Sequence, residues 1–208
     1  MSTALYQQAA DYLTTHDKIL APIIAGAGLT TMRPHHNYYQ ALVDSIISQQ
    51  LSVKAAATIE KRFCALFGSN DFPPPEAILT KDIDELRSVG LSRGKATYVR
   101  DLAQHMVDGT LKFDHLDIKT NDEIIKELTA VKGIGEWTAH MFLMFCVGRL
   151  DVLPIGDLGI RNGIQKLYKL DHVPTPQEVT EFASKRAWHP YESIACWYIW
   201  HSLDNAPA

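Results

Sequence analysis

The sequence predicts an all-α protein, and three observations point to that class. Apolar residues recur at helical spacing through most of the 208 residues, capping residues precede these stretches, and no stretch alternates as a half-buried strand would. We expect roughly ten or more short helices. With 46% hydrophobic and 21% charged residues, the chain should be globular. Its length allows one large domain or two small lobes that share a cleft.

End signals locate the individual helices. Ser52 can accept a hydrogen bond at the start of one helix, which Gly68 ends, and Ser92 begins a longer one that Gly109 closes. Thr120 and Glu123 form a capping box before the helix over 124–131. Pro73-Pro74-Pro75 predicts a rigid connection between helices. The predicted helices cover residues 38–50, 53–67, 93–107, 124–131, 136–147, 177–187 and 191–203, and Thr80 opens a further short one.

The most informative segment is Gly133-Ile134-Gly135, which joins two amphipathic stretches. Two glycines permit a hairpin that is too tight for a β-carbon, and Ile134 can turn inward to hold the two helices together. The amides from Gly135 onward would then point outward at the start of a helix. Unpaired amides at a positive helix end form a phosphate site, so the hairpin predicts binding to a nucleic-acid backbone.

Composition limits the other possibilities. The net charge of −4 counts against nucleic-acid binding, but phosphate contacts need only a locally basic face. Cys64, Cys146 and Cys196 form no C-x-x-C pair, so we expect buried thiols and neither a disulfide framework nor a zinc or iron–sulfur site. The nine histidines show no metal-ligand spacing. No signal sequence and no membrane span are expected.

A possible catalytic carboxylate follows in the loop after residue 147. Pro154 and Gly156 interrupt regular structure, and Asp157 stands where a new helix should begin. A helix cap is the simpler interpretation, and a carboxylate presented at the edge of a cleft is compatible with it. Asp151 is the fallback, although a solvated loop residue is the better interpretation there.

The hairpin and the later aspartate together resemble the helix-hairpin-helix DNA glycosylase superfamily, in particular its 3-methyladenine DNA glycosylase II branch. In that family a Gly/Pro-rich loop connects the hairpin to a catalytic aspartate. Residues 47–56, 86–96 and 188–200 match further family segments, and the resemblance covers about residues 38–204. It implies a compact, two-lobed fold without an N-terminal β domain. The central lobe would span about 38–148, and the terminal lobe would comprise 1–37 plus 149–208.

The resemblance also implies the residues of the base pocket. Asp157 would stabilise the sugar cation formed as the base leaves, and Trp137, Trp200 and Met141 would line the base pocket. Members that also cut the backbone carry a lysine at the place of Trp137, so no lyase activity is expected. Core packing is the alternative for both tryptophans. Base preference stays open, because Met141 replaces a frequent aromatic residue and Glu192 replaces a usual arginine.

The DNA contacts are carried over in the same way. Gln50, or its neighbour Leu51, would fill the gap left by a flipped base, although polar turn residues are the alternative. The carbonyls of Thr129, Val131 and Ile134 would hold a structural Na⁺ or K⁺, with no other cofactor required. The residues implied in phosphate contacts, each of which could instead be an ordinary surface or turn residue, are Lys132, Gly133, Gly135, Thr138, Arg93 and Lys95.

We therefore expect a monofunctional DNA glycosylase that removes alkylated purines, such as 3-methyladenine and 7-methylguanine, from double-stranded DNA during base excision repair. It would be a monomer, cytoplasmic or, in a eukaryote, nuclear, without membrane contact. Two alternatives stay open. One is a non-catalytic helix-hairpin-helix module that binds distorted DNA, and the other is a glycosylase for another lesion, such as hypoxanthine or a mismatched pyrimidine.

Overall fold

A computed structural model describes residues 3–68 and 71–203 of the chain, and within them it contains twelve α-helices and no strand. The all-α prediction is confirmed. The helices are α1 Thr3–His16, α2 Leu20–Ala27, α3 Tyr38–Ser48, α4 Val53–Leu66, α5 Pro75–Leu79, α6 Ile83–Ser88, α7 Arg93–Val107, α8 Asn121–Thr129, α9 Glu136–Met141, α10 Leu158–Tyr168, α11 Pro176–Lys185 and α12 Glu192–Ser202.

The chain divides into two compact units, of which residues 36–142 form one. In this central unit, α5 and α6 pack on α7, α3 packs on both α4 and α7, and α8 packs on α9. Apolar side chains with almost no exposure form its core, among them Ile46, Phe63, Leu86 and Leu102. The central unit therefore carries the glycine hairpin on a packed helical scaffold.

The other unit combines the chain before residue 36 with the chain from residue 143 onward. Its centre is α12, which contacts α1, α2 and α10. Eight successive residues of α12, 193–200, are buried, so this helix has no solvent face. Asp17 is fully buried beneath them and accepts hydrogen bonds from Tyr168 and Trp188, at 2.6 and 2.9 Å. This unit positions the loop that carries Asp157.

Most of the predicted helix starts are confirmed. The hydroxyls of Ser52 and Ser92 accept the amides of Ala55 and Lys95, at 3.3 and 3.2 Å. Thr120 forms the predicted capping box at the start of α8. Short polar side chains at these positions satisfy amides that the helix itself leaves unpaired, which is why local sequence identifies them well.

Three features differ from the sequence-based expectation. The predicted helix over 136–147 is α-helical only to Met141 and continues as a π-helical segment, Phe142–Val147, which ends before Gly148. The resemblance implied a central lobe that ends near 148, whereas the packing ends this unit at residue 142, inside the continuous helical stretch. The proline run is not only a connection, because Pro75 is the first residue of α5.

The sequence analysis predicted no helix over α1 or α2. Residues 20–27 read Leu-Ala-Pro-Ile-Ile-Ala-Gly-Ala, which is apolar all round and shows no amphipathic period. None of the helices described is long and apolar enough to cross a membrane.

Candidate active site and nucleic-acid interface

The predicted hairpin is present between α8 and α9. Two successive tight turns build it, because the amide of Val131 donates to the carbonyl of Leu128 at 3.1 Å and the amide of Ile134 donates to the carbonyl of Val131 at 3.2 Å. Ile134 is buried at 4% exposure, as the sequence analysis predicted. The inward isoleucine thus fixes the exit direction of α9.

The two hairpin glycines have different roles. Gly133 has φ of +85°, and a β-carbon there would lie 2.2 Å from the ring of Tyr98. Gly135 has an ordinary φ of −92°, and a β-carbon there would meet no atom within 4 Å. Gly133 is therefore required by the fold, whereas Gly135 keeps an exposed surface free of a side chain.

The basic residues near the hairpin are engaged with acidic partners. The amide of Lys132 donates to Oδ2 of Asp101 at 2.9 Å, and its ammonium group lies 3.1 Å from Oδ1. Arg93 lies 3.5 Å from Asp84 with both side chains exposed. Exposed pairs of this kind are weak, so both cations can exchange their partner for a phosphate. The Asp101 contact carried no sequence signal, because 31 positions separate it from Lys132.

Lys95 differs from these surface cations. Its ammonium group donates to the carbonyls of Ile47 and Gln49, at 2.8 and 2.6 Å, and burial lowers its pKa. These contacts favour a role inside the protein over the phosphate contact expected from the sequence. Gln50 and Leu51 follow directly on the turn that Lys95 holds, and both are exposed.

Asp157 is the N-cap of α10, as the simpler of its two interpretations predicted. Its Oδ1 accepts the amide of Ile160 at 2.7 Å, and its own amide donates to the carbonyl of Pro154 at 2.9 Å. The side chain is buried, with 9% exposure. An aspartate at this position pairs with an amide that the helix itself leaves unpaired.

Trp200, which lies on α12, forms a hydrogen bond with the same carboxylate oxygen of Asp157. Its indole N–H donates to Oδ1 of Asp157 at 3.0 Å, and its ring is buried at 5% exposure. A β-carbon at Gly159 would lie 3.0 Å from Oδ1 and 3.1 Å from the indole nitrogen, so glycine leaves room for this bond. Neither the bond nor the function of Gly159 was predicted from the sequence, since the residues involved lie 43 positions apart.

Trp137 and Met141 belong to the central unit. Trp137 is the second residue of α9 and is 52% exposed, which argues against the core-packing alternative. Met141 ends α9 and is partly buried. Thr138 and His140 lie between them with buried side chains, and burial lowers the pKa of His140. An indole that is half exposed to water is available for stacking on a planar partner.

Two further residues were named in the sequence analysis, Asp151 and Glu192. Asp151 is exposed in the loop before it. Glu192 begins α12, and its Oε1 lies 3.0 Å from Nδ1 of His189. Glu192 therefore has a local hydrogen-bond partner.

The described residues contain no group of three or more His, Cys, Asp or Glu side chains that could hold a metal ion. Carbonyl oxygens are a different donor set. Those of Thr129, Val131 and Ile134 lie in the hairpin turns, and the Val131 carbonyl already accepts one amide. A carbonyl has a second lone pair, so this set fits a hard monovalent cation.

A glycine hairpin followed by a buried aspartate that caps a helix is the arrangement that the sequence resemblance connects with helix-hairpin-helix DNA repair proteins. Residues 43–189 match the family described as HhH-GPD superfamily base excision DNA repair protein. The chain is a member of this superfamily.

Relatives and solved structures are consistent with this membership. DNA-3-methyladenine glycosylase 1 of Schizosaccharomyces pombe is 36% identical over 81% of this chain and 73% of its own length. The putative DNA-3-methyladenine glycosylase YfjP of Bacillus subtilis is 33% identical over 81% of this chain, which spans only 60% of that protein. The crystal structure of DNA-3-methyladenine glycosidase from Bacillus halodurans is 38% identical, with a TM-score of 0.81 over 91% of this chain and 86% of that one.

A structure of the Schizosaccharomyces pombe enzyme Mag1 in complex with abasic DNA is also similar. It is 32% identical, with a TM-score of 0.79 over 95% of this chain and 97% of that chain.

Proposed function

We propose that this chain is a monofunctional DNA glycosylase that removes alkylated purines, such as 3-methyladenine and 7-methylguanine, from double-stranded DNA. It acts in base excision repair. The observation that carries the proposal is the buried carboxylate of Asp157, whose Oδ1 is held by the amide of Ile160 and the indole of Trp200. The names of the related proteins support the same substrate class.

The chemistry requires a fixed negative charge more than an acid. An N-alkylated purine is already cationic, so it leaves without further protonation. The barrier lies in the deoxyribose, which becomes positively charged as the bond from C1′ to the base nitrogen breaks. A carboxylate whose position is set in advance stabilises that charge without reorganising at the moment of reaction. Asp157 is proposed as that catalytic residue.

The reaction is a hydrolysis. The electron pair of the C1′–N bond leaves with the base, water adds its oxygen to C1′, and the water proton is lost, with Asp157 orienting the water or accepting that proton. The product is an abasic site, the kind of DNA that the Mag1 neighbour contains. Trp137 has no amine to attack C1′, so we propose that the chain does not cut the backbone.

The lesion is proposed to leave the base stack before the reaction, as enzymes that act on a base require. Trp137 offers a π face for an electron-deficient base, with stacking worth about 1–3 kcal/mol. Trp200 and Met141 are proposed as further contacts of the base, and Gln50 or Leu51 as the side chain that fills the gap in the duplex.

The backbone of the DNA is proposed to contact the hairpin. Gly135 presents an open surface, and Lys132 and Arg93 supply charge from weak exposed pairs. The main chain of Gly133 and Thr138 completes the proposed contact. A Na⁺ or K⁺ ion held by the carbonyls of Thr129, Val131 and Ile134 would add positive charge beside the phosphate.

We further propose that the protein acts as a monomer, in the cytoplasm or, in a eukaryote, in the nucleus. Size-exclusion chromatography with light scattering tests the monomer, for which a mass near 23.3 kDa is expected.

The function is tested by incubating the protein with methylated duplex DNA and measuring released bases by chromatography. Free 3-methyladenine or 7-methylguanine supports the proposal. Tight binding to distorted DNA without release would identify a non-catalytic module instead. Duplexes that carry hypoxanthine or a mismatched pyrimidine belong in the same experiment, because Met141 and Glu192 depart from the usual family residues. Release of only those bases would assign another lesion class.

A further inference from the structure

The turn that follows α3 has an unfavourable backbone conformation at its tip. Gln50 has φ of +58°, in the left-handed region that a side chain with a β-carbon rarely adopts. The amide of Leu51 donates to the carbonyl of Ser48 at 3.0 Å, which closes the turn. This conformation presents Gln50 and Leu51 to solvent, and a turn of this kind persists only where its surroundings hold it.

Lys95 supplies that support from α7. Its ammonium group donates to the carbonyls of Ile47 and Gln49, at 2.8 and 2.6 Å. Those carbonyls belong to the C-terminal end of α3 and to the residue just before Gln50. A cation at this place satisfies helix-end carbonyls and interacts favourably with the helix dipole. Lys95 therefore holds the end of α3 and the residue that directly precedes the tip of the turn.

A second bond ties the same turn to the glycine hairpin. The side-chain amide of Gln49 donates to the carbonyl of Gly133 at 2.9 Å, across 84 positions of sequence. The carbonyl of Gln49 is bound to Lys95 and its side chain is bound to the hairpin, so one residue connects two loops. Lys95, the turn and the hairpin form one hydrogen-bonded unit, which we call the turn anchor and define as Lys95, Gln49 and Gly133.

We propose that Lys95 is a positioning residue. It fixes the Gln50–Leu51 turn relative to the glycine hairpin, so that the side chain of Gln50 or Leu51 can fill the gap that a flipped base leaves in the duplex. This inference rests on the proposed function. It replaces the direct phosphate contact expected for Lys95, because two of its three donors are directed at protein carbonyls. The turn anchor acts on the separation of the lesion from its partner and leaves the chemical step to Asp157.

The test compares lesions that must be separated from a partner with lesions that have none. Single-turnover excision of 7-methylguanine is measured in a duplex where it pairs with cytosine and in one where it faces an abasic analogue. Lys95→Met removes the charge but keeps the length of the side chain. We expect it to lose about tenfold in rate on the paired lesion, the effect of one charge-assisted hydrogen bond. On the unpaired lesion we expect little loss, because flipping is then least costly.

Three further variants complete the design. Lys95→Arg can still donate to both carbonyls and should restore most of the rate on the paired lesion. Gln49→Ala breaks only the bond to Gly133. It should also slow excision of the paired lesion more than that of the unpaired lesion, but by a smaller factor than Lys95→Met. The exposed Lys61 on α4 supplies the matched control, since Lys61→Met removes one positive charge without touching the turn anchor.

A second readout does not depend on turnover. In an Asp157→Asn background, 2-aminopurine placed next to a lesion that still pairs with cytosine reports unstacking by its fluorescence, and titration gives the duplex affinity. Lys95→Met should reduce the fluorescence gain at saturating protein. Equal losses on paired and unpaired lesions, or no loss on either, would overturn the positioning role. If the wild-type protein released no base at all, the proposed function would fail, and an unchanged 2-aminopurine signal in Lys95→Met would separately reject the turn anchor.

Discussion

The indole N–H of Trp200 donates to Oδ1 of Asp157 at 3.0 Å, and the same oxygen accepts the amide of Ile160 at 2.7 Å. One contact comes from α12 and the other from the first turn of α10. Together they fix the rotation of the carboxylate in a buried environment, where a fixed charge is most effective. Under the proposed function, Trp200 is therefore a positioning residue for Asp157, in addition to its proposed contact with the base.

Trp200→Phe should slow base release while leaving the fold largely intact. Phenylalanine keeps most of the aromatic volume but loses the N–H that holds Oδ1. A hydrogen bond to a charged group is worth about 1.5–3 kcal/mol, which predicts a loss of roughly 10- to 100-fold in the single-turnover rate. Rapid-quench excision of 7-methylguanine measures it.

Trp197→Phe is the control for that substitution. Trp197 is buried on the same helix and stacks on His201, without a bond to Asp157. A similar loss of rate in both variants would show that packing of α12, and not the bond to Asp157, limits the reaction.

The two hairpin glycines should respond differently to alanine. Gly133→Ala places a β-carbon 2.2 Å from Tyr98 at a left-handed φ, so both the unfolding temperature and the duplex affinity should fall. Gly135→Ala meets no neighbour, so the unfolding temperature should stay the same while the added methyl group weakens DNA binding. Thermal unfolding and fluorescence anisotropy measure the two quantities. Unchanged DNA affinity in Gly135→Ala would remove this surface from the proposed interface.

Close packing between α10 and α12 predicts a stability difference between two other glycines. A β-carbon at Gly163 would lie 2.3 Å from Cγ2 of Ile199, so Gly163→Ala should destabilise the protein by about 1–3 kcal/mol. Gly26 in α2 faces open space, and Gly26→Ala should stabilise by roughly 0.5–1 kcal/mol through helix propensity. Urea unfolding measures both. A stable Gly163→Ala protein would contradict the packing described for these helices.

Asp44 should make stability depend on pH. Burial, and then the charge of Glu60, raises its pKa from 3.8 to about 7, and its Oδ1 is buried without a hydrogen-bond partner among the described residues. The folded state holds the proton more tightly, so this group lowers stability as pH rises from about 4 to about 7. Asp44→Asn should therefore be more stable than the wild type at pH 8, by roughly 1–3 kcal/mol. At pH 5 the gain in stability over the wild type should be smaller.

The control for Asp44 is the exposed Asp114, whose conversion to asparagine should change stability little at either pH. Thermal unfolding at both pH values gives the comparison. A gain for Asp44→Asn that is equal at pH 5 and pH 8 would reject the titration of Asp44 as its cause.

Local signals predicted much of the fold. Ser52, Ser92 and Thr120 were identified as caps because a short polar side chain and the helix that it starts are adjacent in sequence. Helix α2 escaped prediction because it is apolar on all sides, and the change to a π-helix at Phe142 leaves no compositional trace. Helix α12 was still predicted, within 191–203, although eight of its successive residues are buried and it shows no solvent-facing stripe.

In the candidate site, too, the features that local sequence marks were predicted and those that depend on tertiary contacts were not. Asp157 and Gly133-Ile134-Gly135 stand out because breaks in the pattern surround them. The bond from Trp200 to Asp157, the support of Lys132 by Asp101 and the turn anchor join residues that are 31 to 84 positions apart. Such contacts depend on tertiary packing and cannot be derived from spacing. Lys95 is an example, because the sequence analysis offered only a phosphate contact or an ordinary surface residue at this position, and its contacts with the carbonyls of Ile47 and Gln49 were not predicted.

The central claim is that Asp157 stabilises the sugar cation, and Asp157→Asn tests it most directly. Asparagine caps a helix about as well as aspartate, so α10 should stay intact while the negative charge is lost. Excision of 7-methylguanine and affinity for the same duplex are measured side by side. The account predicts that base release is abolished while duplex binding stays close to that of the wild type. Base release by Asp157→Asn at the wild-type rate would contradict it.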